Sequence, residues 1–167
     1  MQELIAEFGH PTDTALEVIV ARLLLATLFG AAIGFEREWR NHTAGLRTHI
    51  LVCLAAATFS ILTVEISQAP VFDRDEMRFD PIRIIEAVTA GVAFLAAGSI
   101  IFARGTLHGL TTGAGMWLAG AIGVASGLGL WQIALVGTVL AVVVLGLLHR
   151  FEKVTGLDIK DDKITGD

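Results

Sequence analysis

Arg22 and Glu86 stand inside otherwise apolar runs, Arg22 in LEVIVARLLLATLFGAAIGF and Glu86 in IRIIEAVTAGVAFLAAGS. Charged side chains are costly in such surroundings, so they pair with one another, meet backbone carbonyls or line a wet path. The two could form a clamp between helices or a station on an ion or proton path. Steps of three and four along a helix carry Arg22 to Ala26, Gly30 and Gly34, and Glu86 to Ala90, Ala93 and Ala97. Small residues let helices approach closely in lipid. The spacing therefore predicts that the first and third runs touch and that Arg22 pairs with Glu86. Arg83, one turn from Glu86, is a second possible partner. Gly30, Gly34, Gly91, Gly98, Gly123 and Gly127 are the expected helix-packing positions.

A second polar set gathers at the ends of the apolar runs: Glu36, Arg37, Arg47, Thr48, Arg104, His108, Thr111 and Thr112. Their chemistry is charge-assisted hydrogen bonding, with a guanidinium seeking carboxylate or carbonyl oxygens. Glu36 and Arg40 are four residues apart, and Glu36 is also the natural partner for Arg47 at the start of the second run.

Other chemistries lack their parts. Cys53 is the single cysteine and lies inside an apolar run. GLTTGAG, residues 109–115, is glycine-rich without the Lys-Ser/Thr of a phosphate loop. His10, His42, His49, His108 and His149 lack the spacing of a zinc helix, and Asp73, Asp75, Glu76 and Asp80 lack the framework of a calcium loop. No Ser-His-acid set assembles. The chain is expected to be no enzyme and to carry neither metal nor cofactor. A net charge of −5, with no basic run or stacking platform, argues against nucleic acid.

The elements that must position these residues are membrane helices. Of 167 residues 54% are hydrophobic and 17% charged, and the mean hydropathy is +0.69, beyond the balance of a soluble domain. The apolar residues form five blocks, approximately Leu16–Phe35, Leu46–Val64, Ile82–Ala103, Leu110–Gly127 and Leu130–His149. Each is close to the roughly 20 residues that span about 30 Å of hydrocarbon as a helix. Continuous runs such as ALVGTVLAVVVLGLL exclude the strict alternation of a membrane barrel. The fourth block, rich in glycine, is the weakest span and could be partly re-entrant. Residues before Leu16 contain Glu3, Glu7 and Asp13 and no Lys or Arg, unlike a secretory signal.

The predicted fold is thus all-α, a polytopic bundle of about five transmembrane helices. Residues 1–15 form an acidic outer segment, 16–149 the membrane domain and 150–167 a short tail. With the amino terminus outside, inner segments hold eight Lys and Arg residues and outer ones three. Positive charge is retained inside, so the carboxyl tail is expected in the cytoplasm.

GAAIGFEREWR, AGLRTHILV, IRIIEAVTAGVAFLAAGSII and GLTTGAGMWLAGAIGVASGLG, in that order, resemble the MgtC/SapB membrane proteins of bacteria. The resemblance rests on Gly34, Glu36, Arg37 and Glu38, on Ala44 to His49, on Gly91, Phe94, Leu95 and Gly98, and on Gly109 to Thr112 with Trp117. Where the family pattern has Phe-Leu-Gly-Ala-Gly, this chain has Phe94-Leu95-Ala96-Ala97-Gly98, and Gly113-Ala114 follow the two threonines. It covers the membrane part, so a short form of the family is expected. What it implies is a multi-pass inner-membrane protein tied to magnesium homeostasis, the long form being associated with low-magnesium growth, virulence and restraint of the membrane ATP synthase. Beyond the lipid bilayer, the expected partner is another membrane protein or a homo-oligomer. The leading expectation is a modulator acting through intramembrane helix contacts. The alternative is a small homo-oligomeric ion transporter or channel using Arg22 and Glu86.

Overall fold

The structure, a computed structural model, describes residues 12–68, 82–103 and 106–155 with Met1, Gly9 and Asp80, and for 101–103, 106–107 and 148–155 it describes backbone alone. Five helices follow one another: α1 Leu16–Trp39, α2 Leu46–Gln68, α3 Ile82–Ser99, α4 Leu110–Gly127 and α5 Trp131–Thr155. They correspond to the five apolar blocks. By length and composition α1, α2 and α3 can each cross a membrane, and α5 contributes the apolar stretch Trp131–Leu147. Large apolar side chains cover the outside, among them Leu28, Leu51, Phe59 and Ile133. That inversion of the soluble pattern suits a surface bathed in lipid. "Buried" below means enclosed within the bundle, and "exposed" means facing lipid or water.

One feature departs from the expected all-helical chain. The third block does not run as helix to Ala103. Helix α3 stops at Ser99, and Ile101–Ala103 (β1) pairs antiparallel with Thr106–His108 (β2), Ile101 opposite His108. Ile100, Ile101 and Phe102 have strand-favouring side chains, and the helix is followed at once by this hairpin. Gly109, at φ 88°, then turns the chain into α4. A β-carbon there would strike the Ser99 carbonyl. The fourth block, by contrast, is one unbroken 18-residue helix.

Helix α4 is the hub, packing against α1, α2, α3 and α5, while α1 and α2 also pack tightly on each other. Its sequence explains this. Gly123 sits against the Cys53 backbone and Gly127 against Ala57, so neither has room for a side chain. Gly30 and Gly34 do the same for the α1–α2 contact: a β-carbon on Gly30 would lie 2.8 Å from the His49 carbonyl oxygen, and one on Gly34 2.7 Å from Leu46 Cα. The enclosed side chains are correspondingly small, with Ala26, Cys53, Ala57, Ala125 and Ala134 in one cluster and Ala44, Val92, Ala96 and Ala119 in a second. Buried hydroxyls bond their own helices, Ser60 donating to Ala56 O at 2.9 Å and Ser126 to Ile122 O at 2.8 Å.

Candidate functional site

At the end of the bundle where α1 stops and α2 and α4 begin, three polar side chains are enclosed together. Arg37 lies in the last turn of α1 and is 3% exposed. Its Nη2 donates to Thr112 Oγ1 at 3.1 Å. Thr112 belongs to the first turn of α4 and is fully buried. The bond ties two helix ends of opposite polarity, and the cation in the last turn of α1 is also well placed for that helix's dipole. His49, in the first turn of α2, is 0% exposed and lies within the electrostatic reach of Arg37. Its Nδ1 is 2.9 Å from Gly45 O. A carbonyl only accepts, so Nδ1 donates, and in the neutral ring Nε2 is a lone-pair acceptor. Nε2 points toward Gly115, where a β-carbon would stand 3.2 Å away, and has no hydrogen-bond partner among the described residues.

The carboxylates of the same region serve the turn. Glu38 Oε2 accepts from Leu46 N–H at 3.0 Å, capping α2 from the end of α1. Gly45 has no side chain because the Glu38 carboxylate occupies that space. Asn41, at φ 55°, reverses the chain, with His42 N–H bonded to Arg37 O and Asn41 N–H to Glu38 O. That is the two-bond pattern that closes a helix C-terminus, with Asn at the left-handed position. Glu36 pairs with Arg40, Arg40 Nε to Glu36 Oε1 at 2.6 Å.

Of the predicted polar cluster, then, the structure joins Arg37 to Thr112. It does not join Arg47 to Glu36: Arg47 is exposed, and Glu36 is held by the nearer Arg40 on its own helix. Thr48 and Thr111 are half-buried beside the cluster, while Arg104 lies outside the described residues. His49 was the omission. Its signal was available, since steps from His49 reach Cys53, Ala56 and Ser60, the small-residue face that α2 buries.

The predicted intramembrane pair is corrected. Helices α1 and α3 do not form a packed pair, α4 being the neighbour of both. Arg22 Nη1 donates instead to Gly127 O at 3.0 Å, and its guanidinium rests on Gly129. The last carbonyls of a helix have no partners within it and carry the negative end of its dipole, so the end of α4 satisfies the arginine. Glu86 and Arg83 are both exposed on α3. Ala90, Ala93 and Ala97 are exposed with them, whereas Val92 and Ala96 make the packed face. Among the described residues no group of three His, Cys, Asp or Glu is placed to hold a metal ion. The enclosed arginine makes the cluster an electrostatic lock between helices, unsuited to a bare cation.

Comparison with known proteins places this architecture. Residues 23–154 match the family model described as the MgtC family. The protein named "Putative magnesium transporter YhiD" in Escherichia coli strain K12 is 38% identical over 131 residues, covering 78% of this chain and 60% of that protein. Protein SrpB of Synechococcus elongatus is 35% identical, with 81% of this chain and 78% of that one covered. Protein MgtC of Brucella abortus is 39% identical over 77% of this chain and 50% of its own length. The chain thus spans 60% of the length of YhiD and half that of the Brucella protein. No solved structure matches.

Proposed function

As this chain belongs to the MgtC family, we propose that it is a non-enzymatic bacterial inner-membrane protein that modulates another membrane complex, or magnesium-related physiology, through helix contacts in the bilayer. Its standing as a magnesium-related membrane protein rests on the family and on the long apolar helices. In this reading the amino terminus lies outside and the tail in the cytoplasm, as the eight-to-three division of positive charge favours.

One observation carries the modulator reading. The positions of Gly30, Gly34, Gly123 and Gly127 are closed by neighbouring helices, but no described residue lies within 4 Å of a β-carbon built on Gly91 or Gly98. With Ala87 and Phe94 they form a stripe at spacings of four, three and four on the outward face of α3, Phe94 being 79% exposed. A shallow stripe of this kind lets a further helix approach closely, and packing of that sort is what drives association in lipid.

The test places a photo-crosslinking residue at Phe94 in native membranes, with exposed Leu28 of α1 as the control position. A protein recovered in fixed ratio from Phe94, absent from Leu28 and lost when Gly98→Leu is added to a still-folded chain, supports the proposal. Recovery of copies of the chain alone moves the reading to a homo-oligomer, and recovery of lipid alone sinks both. Ion passage has less behind it, because Arg22 is bonded to Gly127 O and Glu86 faces outward on α3. Absence of magnesium, potassium and proton flux from liposomes holding the purified protein would remove it.

A further inference from the structure

At the opposite end of the bundle, where α1 begins and α4 hands over to α5, a cavity of about 370 Å³ opens on the surface. Its walls include Glu17, Ala21, Arg22 and Leu25 from α1, Gly129 from the turn and Trp131 from the start of α5. The wall is mostly apolar, with Glu17 and Arg22 as its charged members, and is of a size that takes a small ligand group. We propose that it binds the phosphoethanolamine headgroup of a zwitterionic phospholipid, phosphate on Arg22 and ammonium on Glu17, with the acyl chains running down Ala21 and Leu25.

Three observations support this occupant. Arg22 has five N–H donors, and the hydrogen bond it makes within the bundle is from Nη1 to Gly127 O. It forms no ion pair with any described carboxylate. The nearby Glu65 feels the Arg22 charge without forming an ion pair with it, and its carboxylate accepts from Asp13 N–H at 2.8 Å and Thr14 N–H at 3.0 Å. Glu17, exposed in the first turn of α1, is likewise in no ion pair with a described residue. The cavity therefore presents one positive and one negative group to whatever enters it.

Their order matches the lipid. Glu17 precedes Arg22 by five residues, about 7.5 Å along the helix, and lies nearer the helix start and hence the aqueous surface. In a phosphoethanolamine headgroup the ammonium likewise lies outboard of the phosphate. An anionic lipid would satisfy Arg22 and be repelled by Glu17. Trp131, half exposed at the first residue of α5, sits where aromatic side chains favour the membrane interface.

The chain is reconstituted in nanodiscs of phosphatidylethanolamine and phosphatidylglycerol in equal amounts, and the lipid retained after mild extraction is quantified by native mass spectrometry. The expected result is about fivefold enrichment of phosphatidylethanolamine, which corresponds to about 1 kcal/mol, the scale of one exposed ion pair. Glu17→Gln, an exposed change that leaves the fold intact, should reverse the preference toward phosphatidylglycerol. Arg22→Gln should abolish retention of both, but it also removes the bond to Gly127, so Glu17→Gln is the deciding variant. Retention at the bulk ratio, or a preference unmoved by Glu17→Gln, overturns the proposal. So does equal binding of glycerophosphoethanolamine without acyl chains, which would assign the cavity to a soluble headgroup.

Discussion

Helices α3 and α4 are each 18 residues long, and both are strings of Gly and Ala among larger apolar residues. In α4 twelve residues are buried, and in α3 only Val92 and Ala96 are. The small residues of α4 are the means by which α2 and α3 reach it closely. Those of α3 make a face that the described residues of the bundle leave unused. A small-residue stripe thus marks a capacity for close approach, and whether that capacity is used inside the chain or offered outside depends on where the helix lands.

The sharpest way to break this contrast is to add bulk to each stripe. Gly123→Leu drives its side chain into the Cys53 backbone, which has nowhere to go. The expected loss exceeds the roughly 1–3 kcal/mol of ordinary overpacking and should abolish the folded protein, read as the disappearance of the monodisperse peak in mild detergent. A well-folded Gly123→Leu protein would mean that α4 is not the hub.

Next in size is the lock between α1 and α4. Thr112→Val keeps the shape and removes the acceptor for Arg37 Nη2, so unfolding in detergent should shift by about 1.5–3 kcal/mol, the range for a bond to a charged group. A neutral outcome would show that Arg37 draws its stabilisation from its other contacts. The cap at the α1–α2 turn is smaller. Glu38→Ala should cost about 1 kcal/mol. Gly45→Ala displaces the same carboxylate, so the double variant should lose little more than either single one. Full additivity would separate Gly45 from Glu38.

The smallest effect sharpens the comparison from the α3 side. Gly98→Leu meets no described residue, and the stability of the isolated chain should stay within about 0.5 kcal/mol of the starting value. A large loss would place a neighbour on that face within the chain.

Much of the bundle was legible in advance. Five apolar blocks became five helices because hydrocarbon leaves the backbone no other way to satisfy its own hydrogen bonds locally. Helices α2 and α4 start at Leu46 and Leu110, where the apolar blocks begin. The short hairpin after Ser99 is not legible, since a brief run of strand-favouring residues, Ile100, Ile101 and Phe102, continuing a helical block carries no signal of its own. In the polar cluster Arg37, Thr112 and the Glu36–Arg40 pair were readable from type and spacing. Arg47 does not reach Glu36 because a cation eleven residues away competes poorly for that carboxylate with Arg40, one turn away on the same helix. Arg22 was correctly marked as needing a partner, but the partner is a backbone carbonyl, and every residue has one of those.

The sequence by itself determined the kind of object this protein is: a helical membrane bundle, its apolar periods, its small-residue stripes and the charges that must find partners. These follow from local composition acting against a uniform solvent. Only the tertiary structure decided that α4 stands at the centre, that Gly30, Gly34, Gly123 and Gly127 are filled while Gly91 and Gly98 are not, and that Arg22 meets the end of α4 and not Glu86. Adjacency of helices is set by the mutual fit of all their faces at once, and several helices here carry stripes that could equally have met.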